Sequence, residues 1–281
     1  MARSQKSFIG IDIGGTKIEG IFYSSGKIVR AKKIPTPKNR RDFLRKLFAL
    51  IAELKEKTSL AGIGISCAGT IDSKRGMILG NRNLEFTKNL KLRDIVAKRF
   101  GTPAVIDNDA HCFLRGEFLA GSGQGKKNLI GLTLGTGVGG AAVLGGKLMR
   151  GSRVSAYELG HMVIDRGQNL EQLVSSHAFK KLGIDPGEYQ HRAETGDGRA
   201  VEVFRKMGIY LGMALANFVN IFDPEMIILG GSISKAGDLL LIPAKKEMRK
   251  HVLPSFKKLP PIKISKLKYA ACLGAISLFS R

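Results

Sequence analysis

The sequence contains two similar stretches in which an apolar run meets a glycine-rich turn, Phe8-Ile-Gly-Ile-Asp-Ile-Gly-Gly-Thr-Lys17 and Leu129-Ile-Gly-Leu-Thr-Leu-Gly-Thr-Gly-Val138. Each is followed by a second apolar run, 18–23 or 139–144, and then by another glycine turn. Short apolar runs bounded by glycine favour strands joined by tight turns. The repeat therefore predicts that each half of the chain opens with a β-hairpin.

Outside the hairpins, the apolar periodicity predicts helices alternating with strands. Helices are predicted at 41–57, 109–120, 201–219 and 270–279, and strands at 61–66, 104–107 and 226–229. A chain of 281 residues has room for two α/β domains. We predict a small N-terminal α/β domain of residues 1–107 completed by a closing helix in 268–281, and a large C-terminal α/β domain of residues 108–267.

The composition is that of a globular protein with a formal net charge of +23. A positive charge of this size attracts nucleic acid, anionic lipid and ATP alike. It therefore does not indicate a nucleic-acid partner, and we predict no specific one. Only seven residues precede Phe8, which leaves no room for a secretory signal peptide, and no apolar run is long enough to span a bilayer. We predict a cytoplasmic protein with no membrane partner.

The first glycine loop carries side chains suited to phosphate chemistry. Gly14 and Gly15 lack a Cβ, so their backbone N–H groups can approach phosphate oxygens closely. Asp12 could hold Mg²⁺ directly or through water. Thr16 could hydrogen-bond a phosphate, and Lys17 could neutralise its charge.

The second loop offers another phosphate cradle at Gly135 and Gly137, with Thr136 as a hydroxyl donor. The Walker A spacing is absent from the sequence. The loop also resembles the dinucleotide fingerprint, but that motif requires a helix next, and a strand-like run follows here. Because two matched loops occur, nucleotide phosphate binding is favoured over two ordinary hairpin turns.

With these motifs assembled, the chain resembles the ROK family of sugar kinases, in the actin-like, hexokinase-like ATPase superfamily. The resemblance spans nearly the whole chain, and it rests on Asp12-Ile-Gly-Gly-Thr-Lys17, Gly62-Ile-Gly-Ile-Ser-Cys-Ala-Gly69, Asn83-Leu84, Asn108-Asp-Ala110, Leu134-Gly-Thr-Gly-Val-Gly-Gly140, Glu158-Leu-Gly-His161, Leu170-Glu171, and Asp223-Pro224 leading to Gly230-Gly231. It implies two ribonuclease-H-like (actin-like ATPase) α/β domains facing an interdomain cleft that holds sugar and ATP.

The resemblance also implies roles for individual residues. Asp109 would be the catalytic base, accepting the proton of the sugar hydroxyl as that oxygen displaces ADP from the γ-phosphate. Gly230 and Gly231 would lie beside the adenosine, and ATP and Mg²⁺ would be the cofactors. The implied sugar-binding residues are Asn83, Asn108, Asp109, Glu158, His161 and Glu171. Relatives are commonly homodimers or homotetramers, which we expect here too.

The sequence departs from the family pattern after His161. Many members have a zinc site there that uses this histidine and three downstream cysteines. Residues 162–169 contain no cysteine, so a sulfur-rich tetrahedral site cannot be built from them, and we predict no zinc site. The altered loop also leaves the placement of Glu171 open.

The predicted reaction is ATP- and Mg²⁺-dependent phosphorylation of a hexose hydroxyl. Glucose, giving glucose 6-phosphate, ranks first because Glu158, His161 and Glu171 resemble the set of the glucokinase branch. N-acetylmannosamine, fructose or another hexose remains an alternative substrate, and ADP or polyphosphate an alternative donor. A non-catalytic, sugar-responsive regulator is a further alternative, which the short segment before Phe8 and the presence of Asp109 disfavour.

Overall fold

Strands and helices alternate along the chain, as the apolar periodicity predicts. A computed structural model describes residues 6–152, 157–181 and 183–280. In these residues the strands are β1 (Ser7–Ile13), β2 (Lys17–Ser24), β3 (Lys27–Pro35), β4 (Gly62–Cys67), β5 (Thr70–Asp72), β6 (Met77–Gly80), β7 (Ala104–Asn108), β8 (Leu129–Leu134), β9 (Val138–Leu144), β10 (Lys147–Leu148), β11 (Val163–Asp165), β12 (Gln168–Asn169), β13 (Met226–Gly230) and β14 (Ile262–Ile264). The α-helices are α1 (Arg40–Lys55), α2 (Leu92–Phe100), α3 (Asp109–Ala120), α4 (Leu170–Val174), α5 (Ser176–Lys181), α6 (Pro186–Glu194), α7 (Gly198–Phe222), α8 (Asp238–His251) and α9 (Ala270–Ser277).

The chain divides into two units, each with its own five-stranded sheet. Unit 1 comprises the described residues of Met1–Gly121, Arg150–Ala156 and Leu267–Arg281. Unit 2 comprises those of Ser122–Met149 and Tyr157–Lys266. This division differs from the predicted domain boundary after residue 107, because α3 belongs with unit 1.

Both predicted hairpins are present, and the sheets around them have the same topology. The strand order is β3-β2-β1-β4-β7 in unit 1 and β10-β9-β8-β13-β14 in unit 2. In each sheet the hairpin is antiparallel, and its first strand pairs in parallel with a later strand, β4 or β13. The internal repeat read from the sequence is therefore a structural repeat, and the α/β prediction is confirmed.

In unit 1 the two faces of the sheet are packed differently. On one face, Ile9, Ile11 and Ile13 of β1 are fully buried in one cluster with the apolar residues of α1. On the other face, a Cβ on Gly10 would lie 2.6 Å from the Cys272 carbonyl oxygen, and a Cβ on Gly64 would collide with the Ala275 backbone. Glycine on β1 and β4 thus lets α9 lie directly on the sheet.

Helix α3 is held in unit 1 by a close crossing with α9. A Cβ on Gly116 would collide with the Ala270 carbonyl, and one on Gly274 with the Cys112 carbonyl. The two backbones therefore touch where they cross, which places the start of α3 relative to the sheet. This contact joins α3 to the closing helix, and it accounts for the departure from the predicted boundary.

In unit 2, one core cluster lies between the sheet and the long helix α7, which α8 flanks. Its members include Leu132 and Leu134 of β8, Leu229 of β13 and Leu215 of α7, all fully buried. In the described part of the chain, no helix combines the length and the apolar character needed to cross a membrane.

Candidate functional site

The first glycine loop of unit 1 is held in place by the residue after β3. Within the loop, the Gly14 N–H donates to the Lys17 carbonyl at 3.0 Å. Thr36 reaches the loop twice: its Oγ1 donates to the Gly14 carbonyl at 2.8 Å, and its N–H donates to the Thr16 carbonyl at 3.0 Å. Loop carbonyls are thereby turned toward the protein, while Thr16 and Lys17 are exposed.

Position 15 of the loop has no room for a side chain. Its φ is not positive, but a Cβ there would lie 2.8 Å from Cβ of Asn83. The structure therefore brings the predicted sugar residue Asn83 onto the first glycine loop. Asn81 orients this segment: its Oδ1 accepts from the Asn83 N–H at 3.0 Å, and its Nδ2 donates to the Ala68 carbonyl at 2.8 Å.

Asp12 lies in β1 opposite Ser66 of β4, and Ser66 Oγ donates to Asp12 Oδ1 at 2.6 Å. Withdrawal of the carboxyl group from water, together with the negative charges of Asp109 and Glu19, raises the pKa of Asp12 to about 7. The hydrogen bond from Ser66 and the charge of Lys17 act in the opposite direction but do not cancel the rise. Asp12 is thus an acid whose ionised form is disfavoured in the protein alone.

Asp109 is the first residue of α3, and the residue before it is the helix cap. Asn108 Oδ1 accepts from the N–H groups of Ala110 and His111, and its Nδ2 donates to the Gly69 carbonyl at 3.0 Å. The Asn108 amide is therefore largely committed to holding the turn. The Asp109 carboxylate lies in the first turn of the helix that Asn108 caps.

An ion pair between the buried Asp107 and the exposed Arg150 supports the same turn. Asp107 is 2% exposed. Its carboxylate accepts hydrogen bonds from Arg150 Nη2 at 2.5 Å and from the N–H of the next residue, Asn108, at 2.9 Å. It also lies 3.3 Å from His111 Nδ1. Burial by itself raises the pKa of Asp107, but the hydrogen bonds from His111 and Arg150 outweigh it and hold that pKa below its ordinary value. Asp107 is thus a fixed anion behind Asp109.

In unit 2, the second glycine loop is held by the predicted sugar residue Glu171. The Val138 N–H, at the end of the loop, donates to Glu171 Oε2 at 3.0 Å. A Cβ on Gly137 would collide with this same oxygen. The Ser176 N–H donates to the Gly135 carbonyl at 2.9 Å. Residues from the start of α4 and α5 therefore fix the loop.

Glu158 and His161 lie on a 3-10 turn that contacts the same strand end. The His161 N–H donates to the Glu158 carbonyl at 2.9 Å, and in 3-10 geometry residues three apart lie on one side of the turn. Both side chains are exposed. A Cβ on Gly160 would collide with the Val138 carbonyl. The turn that carries Glu158 and His161 thus contacts Val138, the residue whose N–H Glu171 accepts.

Gly230 and Gly231 close the other side of the loop. Gly230 lies opposite Thr133 in the paired strands, and Gly231 has a φ of +87°, which only glycine adopts without strain. A Cβ on Gly231 would collide with the Leu134 carbonyl, immediately before Gly135. The structure therefore places the two glycine motifs of unit 2 side by side.

The residues that sequence reasoning missed are those that support the loops: Thr36, Ser66, Asn81, Asp107 and Arg150. Ser66 could have been found, because it occupies in β4 the position that Asp12 occupies in β1. The contact of Arg150 with Asp107 joins residues 43 apart in the sequence and has no local signal.

A divalent cation fits the Asp12 carboxylate. In the described residues, no group of three or more His, Cys, Asp and Glu side chains could hold a metal ion. Mg²⁺ needs no such cage, since it commonly binds one or two carboxylates together with substrate phosphates. A cation beside Asp12 would also relieve the repulsion from Asp109 that raises its pKa.

The ROK family model matches residues 8–281. The chain belongs to the ROK family. It is 32% identical to a glucokinase of Halalkalibacterium halodurans, over 89% of this chain and 88% of that protein. It is 30% identical to a ROK family glucokinase of Streptomyces griseus, whose crystal structure contains glucose and AMPPNP, with a TM-score of 0.86 over 97% of this chain and 98% of that one.

These similarities show that this ROK protein has the two-domain actin-like ATPase fold and is an ATP-dependent sugar kinase acting on hexoses. ROK proteins also include regulators. The chain is 31% identical to a xylose repressor of Caldicellulosiruptor bescii, matching 97% of this chain but 77% of the repressor. The repressor therefore has additional sequence beyond the kinase-like part.

Proposed function

We propose that the protein transfers the γ-phosphate of ATP to glucose, giving glucose 6-phosphate. The observation that carries this proposal is the pair of carboxylates in unit 1, Asp12 and Asp109. The charge of Asp109 contributes to the raised pKa of Asp12, and Asp12 lies two residues before the first glycine of the loop. One carboxylate is suited to a phosphate-bound cation and the other to a proton from the attacking hydroxyl.

In the proposed reaction, Asp109 accepts the proton of the sugar hydroxyl while the sugar oxygen bonds to the γ-phosphorus. The bond from that phosphorus to the bridging oxygen breaks, and ADP leaves. The rigid helix start supports this role, because Asn108 caps α3 and Asp107 is held behind the turn by Arg150. A base held in this way contributes about 10² to 10⁴ in rate.

Asp12 would hold Mg²⁺, which when bound supplies positive charge that neutralises the phosphates. Backbone N–H groups of the two glycine loops would contact phosphate oxygens, and Lys17 would add a positive charge. Gly230 and Gly231 would adjoin the adenosine.

Hexose recognition would use side chains that donate or accept hydrogen bonds at fixed positions: the amides of Asn83 and Asn108, the imidazole of His161, and the carboxylates of Glu158 and Glu171, which accept only. Such groups reject the wrong epimer, because a mismatched sugar leaves buried polar groups unpaired. Glucose is favoured over N-acetylmannosamine, fructose and other hexoses because the two relatives described above are glucokinases.

The test is a coupled ADP-release assay across a panel of hexoses and N-acetylhexosamines, with and without Mg²⁺. We expect glucose to give the highest kcat/KM and the rate to fall to background in EDTA. A parallel series replaces ATP with polyphosphate, and a second series begins from ADP with detection of AMP. A higher kcat/KM for N-acetylmannosamine or fructose would overturn the substrate assignment, and a faster reaction with polyphosphate would overturn the donor.

A further inference from the structure

The loop after His161 forms a small hairpin that leads into α4. β11 and β12 pair antiparallel, with Val163 opposite Asn169, and Arg166 and Gly167 adopt positive φ in the turn between them. The Leu170 N–H donates to the Met162 carbonyl at 3.0 Å, which closes the hairpin. Two residues eight apart in the sequence, His161 and Asn169, are thereby brought into contact.

Asn169 is the N-cap of α4, and it forms a complete capping box with Gln172. Asn169 Oδ1 accepts from the Gln172 N–H at 2.9 Å. In return, Gln172 Oε1 accepts from the Asn169 N–H at 3.0 Å. This reciprocal arrangement satisfies two backbone donors at the helix start.

The capping box fixes which way the Asn169 amide points. A backbone N–H is a donor only, so the amide atom that faces Gln172 must be the oxygen. The amide nitrogen is then the atom on the other side, and Asn169 Nδ2 lies 3.3 Å from His161 Nδ1. The choice between amide oxygen and nitrogen, ordinarily open, is thus decided by the helix cap.

The tautomer of His161 follows from the same chemistry. An amide NH₂ group only donates, so His161 Nδ1 can pair with it only as an acceptor, without a proton. A neutral imidazole carries one proton, which must then be on Nε2. His161 would therefore offer an N–H donor, and not a lone pair, on the side of the ring away from Asn169.

We propose that Asn169 is a positioning residue that fixes the orientation and the tautomer of His161, so that Nε2–H donates to a sugar hydroxyl oxygen. This inference rests on the proposed sugar-binding role of His161. A hydroxyl that accepts from His161 can donate its own O–H in a hydrogen bond to a carboxylate, and Glu158 lies on the same turn. The pair would thus select a hydroxyl that accepts and donates at one position.

Two substitutions at position 169 keep the helix cap but change what His161 faces. Asn169→Asp preserves the cap, since aspartate accepts from the Gln172 N–H equally well. Its second oxygen, however, only accepts, so it pairs with Nδ1 when that nitrogen carries a proton, and in the neutral ring Nε2 then carries none. Asn169→Ser also caps the helix, but its side chain is too short to reach the imidazole, so neither tautomer is imposed.

The direct readout is long-range ¹H–¹⁵N NMR of the full chain labelled with ¹⁵N-histidine. The chain has five histidines, so the His161 signals are assigned by their loss in His161→Gln. Spectra are taken near pH 8.5, because alkaline solution favours the neutral form of imidazole. We expect protonated Nε2 and unprotonated Nδ1 in the natural protein, the reverse in Asn169→Asp, and a mixture in Asn169→Ser.

Kinetics at the same pH measure the consequence. One hydrogen bond contributes about 0.5–1.5 kcal/mol, so Asn169→Asp should raise the KM for the sugar about twofold to twelvefold and leave that for ATP nearly unchanged. Gln172→Ala is the matched control, because it breaks the other half of the capping box but leaves Asn169 facing His161. It should lower thermal stability without changing the tautomer.

Protonated Nδ1 in the natural protein, or an unchanged tautomer in Asn169→Asp, would overturn the proposal. So would an equal rise in the sugar KM in Gln172→Ala, since the effect would then come from the helix cap alone. If the natural protein phosphorylates no sugar, the proposed function fails, while the NMR spectra still decide the tautomer.

Discussion

The two glycine hairpins share one backbone plan but differ at the positions that carry chemistry. Aligned residue by residue, Asp12 corresponds to Thr133, Thr16 to Gly137 and Lys17 to Val138. The parallel neighbour also differs, because Asp12 lies opposite Ser66. In unit 2 the equivalent place opposite Thr133 is taken by Gly230. The ionisable groups are thus confined to the hairpin of unit 1.

The hairpins are also supported differently. The loop of unit 1 is held through its carbonyls by Thr36 and contacts the amide residue Asn83. The loop of unit 2 is held through the Val138 N–H by the carboxylate of Glu171. The hairpin of unit 1 thus presents ionisable side chains, whereas the loop of unit 2 presents mainly backbone groups.

Asp109→Asn should have the largest effect of the substitutions that test this difference between the two units. If the base belongs to unit 1, kcat should fall about 10² to 10⁴-fold, with sugar affinity changed only a few-fold. Single-turnover kinetics and isothermal titration calorimetry measure the two quantities. Asp94→Asn is the matched control, since Asp94 is also a first-turn carboxylate of a helix in unit 1. Natural turnover in Asp109→Asn would show that another group accepts the proton.

The next largest effect tests the support of the second hairpin. Gly137→Ala should displace Glu171 Oε2 and leave the Val138 N–H without its acceptor. An unsatisfied buried donor costs about 1–3 kcal/mol, so we expect the free energy of unfolding to fall by this amount in urea titrations. The KM for ATP should rise as the loop shifts.

Gly135→Ala separates these two effects within the same loop. A Cβ at Gly135 meets no other atom of the described structure within 4 Å, and its φ is not positive. Its free energy of unfolding should therefore stay within about 0.5 kcal/mol of the natural value. If the loop cradles phosphate, the methyl group should still raise the KM for ATP about tenfold, which corresponds to about 1.4 kcal/mol. An unchanged KM would remove the phosphate role from the second hairpin.

The pH dependence of stability tests the first hairpin through Asp12. Because its pKa is raised from 3.8 to about 7 in the folded protein, the folded state keeps a proton that the unfolded chain has lost over this interval. The stability contributed by this group is therefore present below about pH 4 and falls as the pH rises to about 7. Asp12→Asn should remove this decline.

We expect Asp12→Asn to be more stable than the natural protein at pH 8 by about 1–2 kcal/mol, less than the full linkage because the variant also loses the charged acceptor of the Ser66 hydroxyl. At pH 4 the two should differ little. Urea unfolding at both pH values measures this, and other carboxylates cancel in the difference. Added Mg²⁺ should stabilise the natural protein at pH 8 but not the variant. An equal stability difference at both pH values would contradict the raised pKa.

The parts of the fold that the sequence predicts well are those with local signals. The limits of α3 were predicted as residues 109–120, and they agree with Asp109–Ala120, because a polar capping residue precedes an apolar run. Both hairpins were predicted because glycine punctuates their strands. The domain boundary was not, since α3 joins unit 1 through its glycine crossing with α9, a contact between residues far apart in the chain.

The same distinction applies to the candidate site. Residues within motifs, such as Asp12 and Gly137, can be proposed from their neighbours in the sequence. Their partners cannot: Ser66 is 54 residues from Asp12, and Glu171 is 33 from Val138. That Glu171 supports the glycine loop depends on how α4 packs, which a sequence pattern does not specify.

The smallest expected effect concerns Lys17, which has no charged counterpart in the second hairpin. Its Nζ lies 2.7 Å from Glu19 Oε1, and its side chain is 48% exposed. An exposed ion pair of this kind contributes at most about 1 kcal/mol, so Lys17→Gln should change the free energy of unfolding by less than about 0.5 kcal/mol.

To reach a phosphate, the ammonium group must leave Glu19. Lys17→Gln should therefore raise the KM for ATP several-fold, whereas Glu19→Gln should leave it unchanged or lower it about twofold, because the lysine no longer has a competing anion. Both effects should shrink at high salt, since the charges are exposed. Steady-state kinetics at two ionic strengths measure them, and a rise in KM in both variants would mean that the ion pair itself, and not the free lysine, shapes the first hairpin.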